Sequence, residues 1–585
     1  MMSLELALKA HRVEDFTQAD HNYNLAYKKK IKDRKLYQNY GALLRQLGND
    51  QKAEQVYKAG LNFFPTDLAI IMNYGNLLKQ SRPLSSLHIY LSGLHLSLKT
   101  DLHSTLDQRA AFYSNILDIL CNLGHFNWAL STVKLALSDV GLKPGYIKAI
   151  MLIVDSSDGD LSLDDIQKNK IYKLVESLIA KSTDIEATQL LFSMATHFRH
   201  TLQHSKSIEY FERALLRVNN SNPFSSEDKK ALQETLDINS WNCACESLQV
   251  QDFRRGWSLF DWGLRTPADG AQKWQRALIK PFSSNDLPVW RGQNGEGKSL
   301  LLLEEQAIGD VMQFLTLLPT LLNEFRIVSI LITHRLRTLY ERTFEREIKE
   351  GKLSIYTQMD VAKRKLSSSD FDFQCAMGSI CQYRFTTLDS YAPRSPMLIP
   401  DLSFRDELRD TYLNHQKKVS LLVGVSWRGG GRGKRIAQKS ITPESFGTIM
   451  SNLPNVRFIN LQYGDSRAQI KKWRDSGIDI VHDNRIDPLK NMDTWVTQVS
   501  ACDAVISVAN TTIHGSGGLN IPTQCLLSRY SDWRWFTDPS VKRSYWYPSV
   551  GIARECKDHG WVDAFRDVRN WLEMGCPPPT GPIST

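Results

Sequence analysis

The chain has 585 residues, 42% of them hydrophobic and 23% charged, a composition that indicates a globular protein and excludes a disordered one. Its length predicts several domains, because one hydrophobic core rarely serves more than about 250–300 residues. A net charge of +9 is too small over this length to indicate nucleic-acid binding, and no apolar run reaches the roughly 18 residues of a membrane span.

The cysteines and the N-terminal sequence favour a reduced, cytoplasmic setting. The nine cysteines are scattered without a Cys-x-x-Cys pair, so neither a zinc site nor a disulfide framework is indicated. The first residues, MMSLELALKAHRVEDF, carry early acids and no apolar core, which argues against a signal peptide. We therefore expect a cytoplasmic protein with no integral membrane segment.

Internal repetition is the first feature along the chain. Residues 37–65 read YQNYGALLRQLGNDQKAEQVYKAGLNFFP, and a shift of 34 residues carries Tyr40-Gly41 onto Tyr74-Gly75. Small residues allow two helices to cross closely, and the larger ones fill the stripe shared with the next helical pair. The pattern resembles the tetratricopeptide repeat, whose characteristic positions are here Gly41, Gly48, Ala53, Tyr57, Leu61 and Pro65.

Weaker copies of the repeat follow at 113–137, 190–217 and 238–265, with irregular joins near 140–170 and 218–230. Their aromatic stripes are typical of helix–helix packing more than of ligand contact. Stacked repeats form an extended groove, which favours a peptide or protein partner. We assign residues 1–265 to this helical domain and the Pro-, Gly-, Asn- and Ser-rich residues 266–297 to a linker.

One motif in the linker is rejected as a nucleotide site. Gly292 to Ser299 reads GQNGEGKS, which matches the phosphate-binding P-loop pattern letter for letter. That mechanism needs a strand, the loop and then a helix whose N-terminus faces the phosphate. Here the motif runs into the apolar strand Leu300–Leu303, so we interpret it as an ordinary turn.

Residues 298–415 predict a first α/β half. A strand over 299–303, a helix reaching Pro319 and a strand over 327–332 form the start of a parallel sheet. Gly309 and Asp310 follow the first strand at the edge where such sheets bind ligands. Asp310 can also be interpreted as a helix N-cap, a role that is compatible with a place at the ligand site.

Residues 416–585 predict a second α/β half. A strand over 419–427 leads into a glycine-rich, cationic loop, RGGGRGKR, from 428 to 435. Backbone amides with Arg and Lys side chains suit a diphosphate, although a solvated loop is the alternative. The donor-side residues predicted here are Ser426, Arg428, Gly429 and Gly430. Thr442 and Pro443 then indicate a helix N-cap and first helical position.

Further strand ends in this half carry polar residues. Gln462 ends a strand over 457–462 and could meet a base or ribose, and His482-Asp483 ends the next strand. The strand over 503–508 runs into a Gly- and Thr-rich stretch that we interpret as a phosphate-binding loop opening a helix. Its predicted site residues are Asn510, Thr511, Thr512, His514 and Gly515. A last strand over 523–528 precedes an aromatic tract, 532–547, which either clamps a sugar or base or closes the domain.

Together these segments resemble tetratricopeptide-repeat glycosyltransferases, whose GT-B catalytic domain relates to the heptosyltransferases. The resemblance rests on PVWRG, LLLLEEQAIGDVMQFLTLLP, VGVSWRGG, FINLQYGD, DAVISVANTTIHGSGGLNIP, SDWRWF and WYPSV, in this order over roughly 285–575. It implies a repeat α-solenoid followed by two facing Rossmann-like halves. It also implies that Asp310 is the general base, that His514 lies beside the donor, and that Arg428 with Gly429–Gly431 holds phosphate.

The resemblance implies a transferase that uses a nucleotide-sugar as donor substrate and needs no cofactor. No Asp-x-Asp pair suits a metal at a strand end, so we predict metal independence, and the repeats favour a protein or peptide acceptor. One departure is Ala509-Asn510, where many relatives have Asp-Thr. It motivates an alternative, an adaptor with an inactive transferase-like domain. A transferase acting on a surface or lipid-linked glycan is a third hypothesis, with no basic amphipathic helix to support it.

Overall fold

The chain forms two compact units, Met1–Phe224 and Ser225–Thr585. The structure is a computed structural model, and it describes residues 2–583 apart from 13–14, 100–105, 144–145, 147–148, 151, 154–164, 221–225, 265–275, 277–279, 392–397, 414–418 and 431–433. Some predicted features lie outside the described residues. They are most of residues 266–279 of the predicted linker, much of the predicted irregular join near 140–170, and Gly431 of the predicted phosphate loop.

The first unit consists of α-helices that pack against each other as successive hairpins. The helices are Met2–Arg12, Phe16–Lys28, Arg34–Gln46, Asp50–Phe63, Leu68–Leu78, Pro83–Lys99, Leu106–Asn122, Phe126–Val140, Asp165–Lys181, Asp184–His200 and His204–Asn220. This confirms the predicted helical repeats, including the weaker copies at 113–137 and 190–217.

Glycines set the spacing of the repeat helices. A Cβ on Gly41 would lie 2.3 Å from the ring of Tyr57, and a Cβ on Gly75 would lie 2.3 Å from the ring of Tyr90. Such distances are too short for any side chain, so each tyrosine packs directly on the main chain of the facing helix. The same relation in two successive hairpins is the structural reason for the repeated glycine at positions 41 and 75.

The second unit begins with two helices that the sequence had grouped with the repeats. Ser226–Gln249 and Phe253–Phe260, within the predicted repeat 238–265, belong to the second unit. Phe253 packs against Phe536 and Tyr545, with ring centroids 5.8 and 5.6 Å away. The predicted boundary at residue 265 is therefore wrong. The sequence of a helical hairpin does not reveal which hydrophobic core its apolar face packs against.

The first α/β half contains a four-stranded parallel sheet. Its strands are β1 (Ser299–Leu303), β2 (Ile327–Leu331), β3 (Leu353–Tyr356) and β4 (Phe373–Ala376), in the order β3-β2-β1-β4. Its helices are Ile308–Leu315, Leu318–Glu324, His334–Thr343, Glu345–Lys349, Gln358–Ala362, Cys381–Arg384 and Leu402–Leu413. Strand β1 is buried along its whole length, as its leucines predict.

The second half contains a six-stranded parallel sheet. Its strands are β5 (Leu421–Ser426), β6 (Val456–Asn460), β7 (Ile480–Val481), β8 (Ala504–Val508), β9 (Thr523–Leu527) and β10 (Val550–Arg554). The order β10-β9-β8-β5-β6-β7 is that of a Rossmann sheet, and it reverses between β5 and β8. Helices Lys434–Gln438, Pro443–Met450, Arg467–Asp475, Met492–Ser500, Thr511–Gly518 and Val562–Glu573 accompany the sheet.

Short strands were the main omission of the sequence analysis. Strands β3, β4 and β10 have four or five residues each and no alternating pattern that marks them off from a buried loop. The prediction that 523–528 is the last strand is therefore wrong. The rejection of the P-loop is confirmed, because the motif leads into β1 and no helix follows Lys298. Among the described residues, no helix is long and apolar enough to cross a membrane.

Candidate active site

Polar side chains tie together three strand ends where the order of the second sheet reverses. Nδ2 of Asn510, which follows β8, donates to Oγ of Ser426 at the end of β5, at 2.8 Å. The same nitrogen donates to the carbonyl of Arg428, at 3.1 Å. Ser426 in turn donates to Oε1 of Gln462, which follows β6, at 3.1 Å. Three residues predicted to serve the donor are thus brought together at one point.

Gln462 holds the loop that follows β5. Its Oε1 also accepts hydrogen bonds from the amides of Trp427 and Arg428, at 3.1 and 2.8 Å. The amide nitrogen of its side chain donates to the carbonyl of Tyr463. The hydrogen bonds of Gln462 therefore fix the Arg428 loop, and its predicted contact with a base or ribose stays a prediction.

The stretch after β8 is a helix and not a loop. The helix Thr511–Gly518, here called the second-half helix, begins directly after Asn510, whose Oδ1 accepts from the amide of Thr512 at 2.8 Å. The interpretation of residues 510–518 as a loop before a helix is therefore wrong. Its N-terminus, with Thr511 and Thr512, nevertheless lies at the strand end, where the helix dipole favours an anion.

The glycines of this helix serve packing. A Cβ on Gly515 would lie 3.1 Å from the ring of Trp495, and one on Gly517 would lie 2.4 Å from the ring of Tyr547. A Cβ on Gly518 would similarly meet Leu398 at 2.7 Å. Gly515 lies inside the helix and against Trp495, so its small size serves this packing, and its predicted role in binding a ligand stays a prediction.

The loop after β5 presents an exposed cation. Arg428 is exposed, and its guanidinium lies 5.5 Å from the ring centroid of Tyr463. Within the described part of the chain it forms no salt bridge. Gly429 is buried beneath Lys439, whose carbonyl oxygen would lie 2.8 Å from an added Cβ, while Gly430 is exposed and has only the Tyr463 hydroxyl nearby. Arg428 is therefore free to neutralise an anionic ligand.

The first half meets the second at Gly309. This residue lies in the helix Ile308–Leu315, here called the first-half helix, which is the first helix after β1. A Cβ on Gly309 would lie 2.8 Å from Cδ2 of His514 and 3.4 Å from Oγ1 of Thr511. The main chain that carries Asp310 therefore touches the N-terminal turn of the second-half helix, so the two sets of predicted site residues adjoin.

Asp310 takes part in a row of alternating charges across the two halves. One carboxylate oxygen accepts from the amide of Ala307 at 3.0 Å, and the other accepts from Arg534. Arg534 also pairs with Asp532, which lies 2.6 Å from Nζ of Lys439. The alternative prediction of Asp310 as N-cap is wrong, because Ala307 occupies that position and Asp310 is the third helical residue.

His514 is a neutral imidazole in this setting. Its Nδ1 lies 3.0 Å from the hydroxyl of Tyr547, and the residue is 8% exposed. Burial lowers the pKa of His514 to about 4, against a smaller opposing effect of the Asp532 carboxylate. The ring therefore offers a hydrogen bond at neutral pH and no positive charge.

Two further carboxylates follow β1. Glu304 accepts from the amide of Thr333 at 2.5 Å, and burial raises its pKa. Glu305 is fully buried and forms an ion pair with Arg276, with Nε to Oε1 at 2.8 Å. Glu305 also accepts from the amide of Gly378, so it spans the point where the first sheet reverses between β1 and β4. Glu305 is thus a structural anion.

The aromatic tract after β9 closes the second unit. Trp533 stacks on Phe314 of the first-half helix, with centroids 5.9 Å apart and an interplanar angle of 12°. Phe536 stacks on Tyr545 at 4.6 Å, and Trp546 is similarly buried. Of the two interpretations of this tract, closure of the domain agrees with the burial of its rings.

The helical hairpins and the two parallel sheets define the fold class of this chain: tetratricopeptide-type repeats followed by two α/β halves of the GT-B-like kind. A scan against protein-family models found no match. Among curated proteins, the chain is similar to Protein FlbA of Caulobacter vibrioides, with 28% identity over 272 residues, 45% of this chain and 44% of FlbA. The match thus spans less than half the length of FlbA.

Solved structures similar to parts of the chain are of two kinds. A glycosyl transferase family 9 protein from Veillonella parvula is 10% identical over 47% of this chain and 96% of its own, with a TM-score of 0.34. The E. coli ADP-heptose lps heptosyltransferase II is 11% identical over 47% and 98%, with a TM-score of 0.32. A tetratricopeptide repeat protein from Parabacteroides merdae is 14% identical over 45% and 98%, with a TM-score of 0.28.

Sequence reasoning missed three residues at this site. Arg534 and Tyr547 lie in the aromatic tract, where their polar atoms give no periodic signal, and Lys439 follows the glycine-rich loop. A cation inside a buried aromatic run, Trp533-Arg534-Trp535, was the one available sign, since such a charge needs a partner. Across the described residues, no group of three or more His, Cys, Asp and Glu side chains is arranged to hold a metal ion. Metal independence stays a prediction.

Proposed function

We propose that the chain is a glycosyltransferase that moves a sugar from a nucleotide-sugar donor to an acceptor hydroxyl without a metal or other cofactor. The observation that carries this proposal is the meeting of the two halves at their strand-end surfaces, where Gly309, the residue before Asp310, lies against His514 and Asp310 pairs with Arg534 of the other half. A cleft between α/β halves orients two substrates and excludes water, which is what group transfer between them requires.

The second half would bind the donor. Arg428, the amide of Gly430 and the N-terminus of the second-half helix would hold the diphosphate, while the amide of Gly429 donates to Oγ of Ser440 at 3.0 Å and fixes the loop. Cations and amides fixed in advance stabilise the negative charge that grows on the leaving group. Ser426, Gln462 and Asn510 hold this loop in place through their hydrogen bonds.

The first half would activate the acceptor. Asp310 would accept the proton of the acceptor hydroxyl as the oxygen attacks the anomeric carbon and the diphosphate leaves. His514 would give a neutral hydrogen bond to the sugar or the diphosphate. We further propose a protein or peptide acceptor held by the helical repeats, because stacked helical hairpins suit extended protein segments, and a cytoplasmic location.

The first test is a thermal-shift screen of the full chain against UDP, GDP, ADP, CMP and dTDP. A ligand that binds only the folded protein raises Tm by mass action. We expect a shift with one nucleotide that is lost in Arg428→Gln and kept in Asp310→Asn. Arg566→Gln, an exposed arginine on Val562–Glu573, is the matched control and should keep the shift.

An adaptor with an inactive transferase-like domain is the second candidate. It is favoured by Asn510, which stands where many relatives have Thr and commits both polar atoms of its side chain to bonds within the protein. The absence of any nucleotide shift at millimolar concentration would favour this candidate over the enzyme. Transfer to small glycans, with no binding of candidate proteins by the repeats, would instead overturn the protein acceptor.

A further inference from the structure

The ion pair between Asp310 and Arg534 joins a residue after β1 to a residue after β9. We propose that Arg534 is a positioning residue for Asp310, supplied by the opposite half, so that the general base is oriented only when the halves are together. This inference rests on the proposed function, since it assigns a partner to the base of that reaction.

Two contacts hold the carboxylate of Asp310 in one orientation. The amide of Ala307 donates to one oxygen and the guanidinium of Arg534 donates to the other. A carboxylate has about four lone-pair positions, so these two bonds leave acceptor capacity for a substrate hydroxyl. Without Arg534, the Ala307 amide would bind one oxygen of Asp310 and the second oxygen would have no partner. The Asp310 side chain is only 10% exposed.

Arg534 is itself held on several sides. Its Nη1 lies 3.1 Å from Oδ2 of Asp532, and its guanidinium lies 4.1 Å from the ring centroid of Trp533. Trp533 in turn stacks on Phe314, four residues after Asp310 on the first-half helix. Burial lowers the pKa of Arg534 to about 10, so the side chain is still a cation at neutral pH. A rigid cation of this kind fixes a partner more firmly than a mobile one does.

The loop that carries Asp310 is under backbone strain. Gln306 lies in the left-handed region with φ of 59°, and its Oε1 is 3.5 Å from Nη2 of Arg534. A residue other than glycine adopts this conformation at a cost and keeps it where the surroundings require it. Arg534 thus contacts both the strained turn and the carboxylate that the turn presents.

Arg534 neither donates nor accepts a proton in the proposed reaction. The acceptor O–H bond breaks and its proton passes to Asp310, while the acceptor oxygen bonds to the anomeric carbon and the sugar–phosphate bond breaks. The electron pair of that bond leaves with the diphosphate. Arg534 keeps its protons throughout and acts by holding the carboxylate in place.

The experiment measures turnover and nucleotide binding in the full chain with Arg534→Gln and Arg534→Lys. Turnover is the release of nucleotide from a panel of UDP-, GDP-, ADP-, dTDP- and CMP-linked sugars. Misplacement of a base or loss of its partner typically costs about 10- to 100-fold. We therefore expect kcat to fall about 10- to 100-fold in Arg534→Gln, with donor KM and the nucleotide thermal shift unchanged, and partial recovery in Arg534→Lys.

Arg342→Gln is the matched control. Arg342 forms a two-pronged ion pair with Asp493, both bonds at 2.7 Å, and also joins the two halves, but outside the candidate site. It should keep kcat within about twofold if the role of Arg534 is specific, since the effects of distant sites are independent. In Asp310→Asn the further change Arg534→Gln should have little effect, because residues that act as a unit are not additive.

Four outcomes would overturn the inference, and they differ in whether the proposed function is overturned as well. An unchanged kcat in Arg534→Gln, or an equal loss of kcat in Arg342→Gln, would contradict the positioning role but would not contradict the proposed function. A raised donor KM with unchanged kcat would make Arg534 a donor ligand. No turnover of any donor by the natural sequence removes both the inference and the transferase.

Discussion

His514 of the second half lies directly against the main chain of Gly309 in the first half. An added Cβ at Gly309 would come within 2.8 Å of the imidazole, which is closer than side chains approach. The absence of a side chain at position 309 is therefore a condition for the two halves to meet. This contact lies one residue before Asp310, so the geometry of the candidate site depends on it.

Gly309→Ala should separate the halves locally. The methyl group cannot be placed without moving His514 or the first-half helix, and overpacking of this kind costs about 1–3 kcal/mol. We expect a lower Tm for the second unit and a loss of turnover larger than the loss of nucleotide binding. Gly430→Ala is the control for stability, because only the Tyr463 hydroxyl lies near its Cβ, at 3.7 Å. Equal Tm values for the two variants would contradict the close contact.

Acid should destabilise the second unit through His514. Its folded pKa is lowered to about 4 by burial, whereas an unfolded histidine titrates near ~6.5. The histidine is neutral in both states above pH ~6.5, and between ~6.5 and ~4 mainly the unfolded chain gains the proton. Stability is therefore fully present above pH ~6.5 and falls as the pH drops toward 4, by up to about 3 kcal/mol.

Melting curves of the full chain between pH 8 and pH 4.5 measure this acid effect. His514→Asn, which can keep a hydrogen bond to Tyr547, should show a smaller fall in Tm with acid than the natural sequence. His559→Asn, at an exposed histidine, should show the same fall as the natural sequence. A fall of equal size in His514→Asn would mean that other groups cause the acid sensitivity.

Asn510→Asp tests why this chain has an amide at that position. Aspartate keeps the helix cap but cannot donate to Ser426 or to the Arg428 carbonyl, so two hydrogen bonds are lost. We expect a loss of about 1–3 kcal/mol and a weaker nucleotide shift. The control is Asn491→Asp at the start of Met492–Ser500, where the amide serves as a cap and the change should be nearly neutral. Equal effects at the two positions would contradict a special role for Asn510.

Arg276→Met should strongly destabilise the second unit. Arg276 and Glu305 have side chains that are 0% exposed, so removal of the cation leaves a buried carboxylate without its partner, at a cost of about 3–5 kcal/mol. Urea denaturation of the full chain measures this loss. The double variant with Glu305→Leu should be more stable than Arg276→Met alone, because both charges are gone. A double variant less stable than the single one would show that Glu305 is satisfied by other groups.

The residues that were predicted well have local signals. Strand β5 and its glycine-rich loop were readable because an apolar run ends at polar and glycine residues, and Ser426, Gln462 and Asn510 were expected together because parallel strands end at one edge. The helix N-cap at Thr442 with Pro443 was predicted for the same reason, and its bond to the amide of Ser445 confirms it. These features could be predicted because each depends on a pattern of residues within about ten positions of one another.

The features that were missed depend on contacts far apart in the chain. Arg534 and Asp310 are 224 positions apart, and nothing near either residue indicates the other. Gly515 and its neighbours were interpreted as part of a phosphate-binding loop, but the rings of Trp495 and Tyr547 require small residues at Gly515 and Gly517. A run of glycines shows only that side chains are absent. It does not indicate whether a ligand or a neighbouring side chain occupies the space beside them.

The sequence by itself determined the helical repeats, the parallel α/β halves and the polar edge of the second sheet, because periodicity and strand-end composition are properties of neighbouring residues. Only the tertiary structure decided that Ser226–Phe260 belongs with the second unit, that Asp310 pairs with Arg534, and that His514 is buried and neutral. Desolvation and ion pairing depend on what surrounds a group in space, and those surroundings exist only once distant segments have packed together.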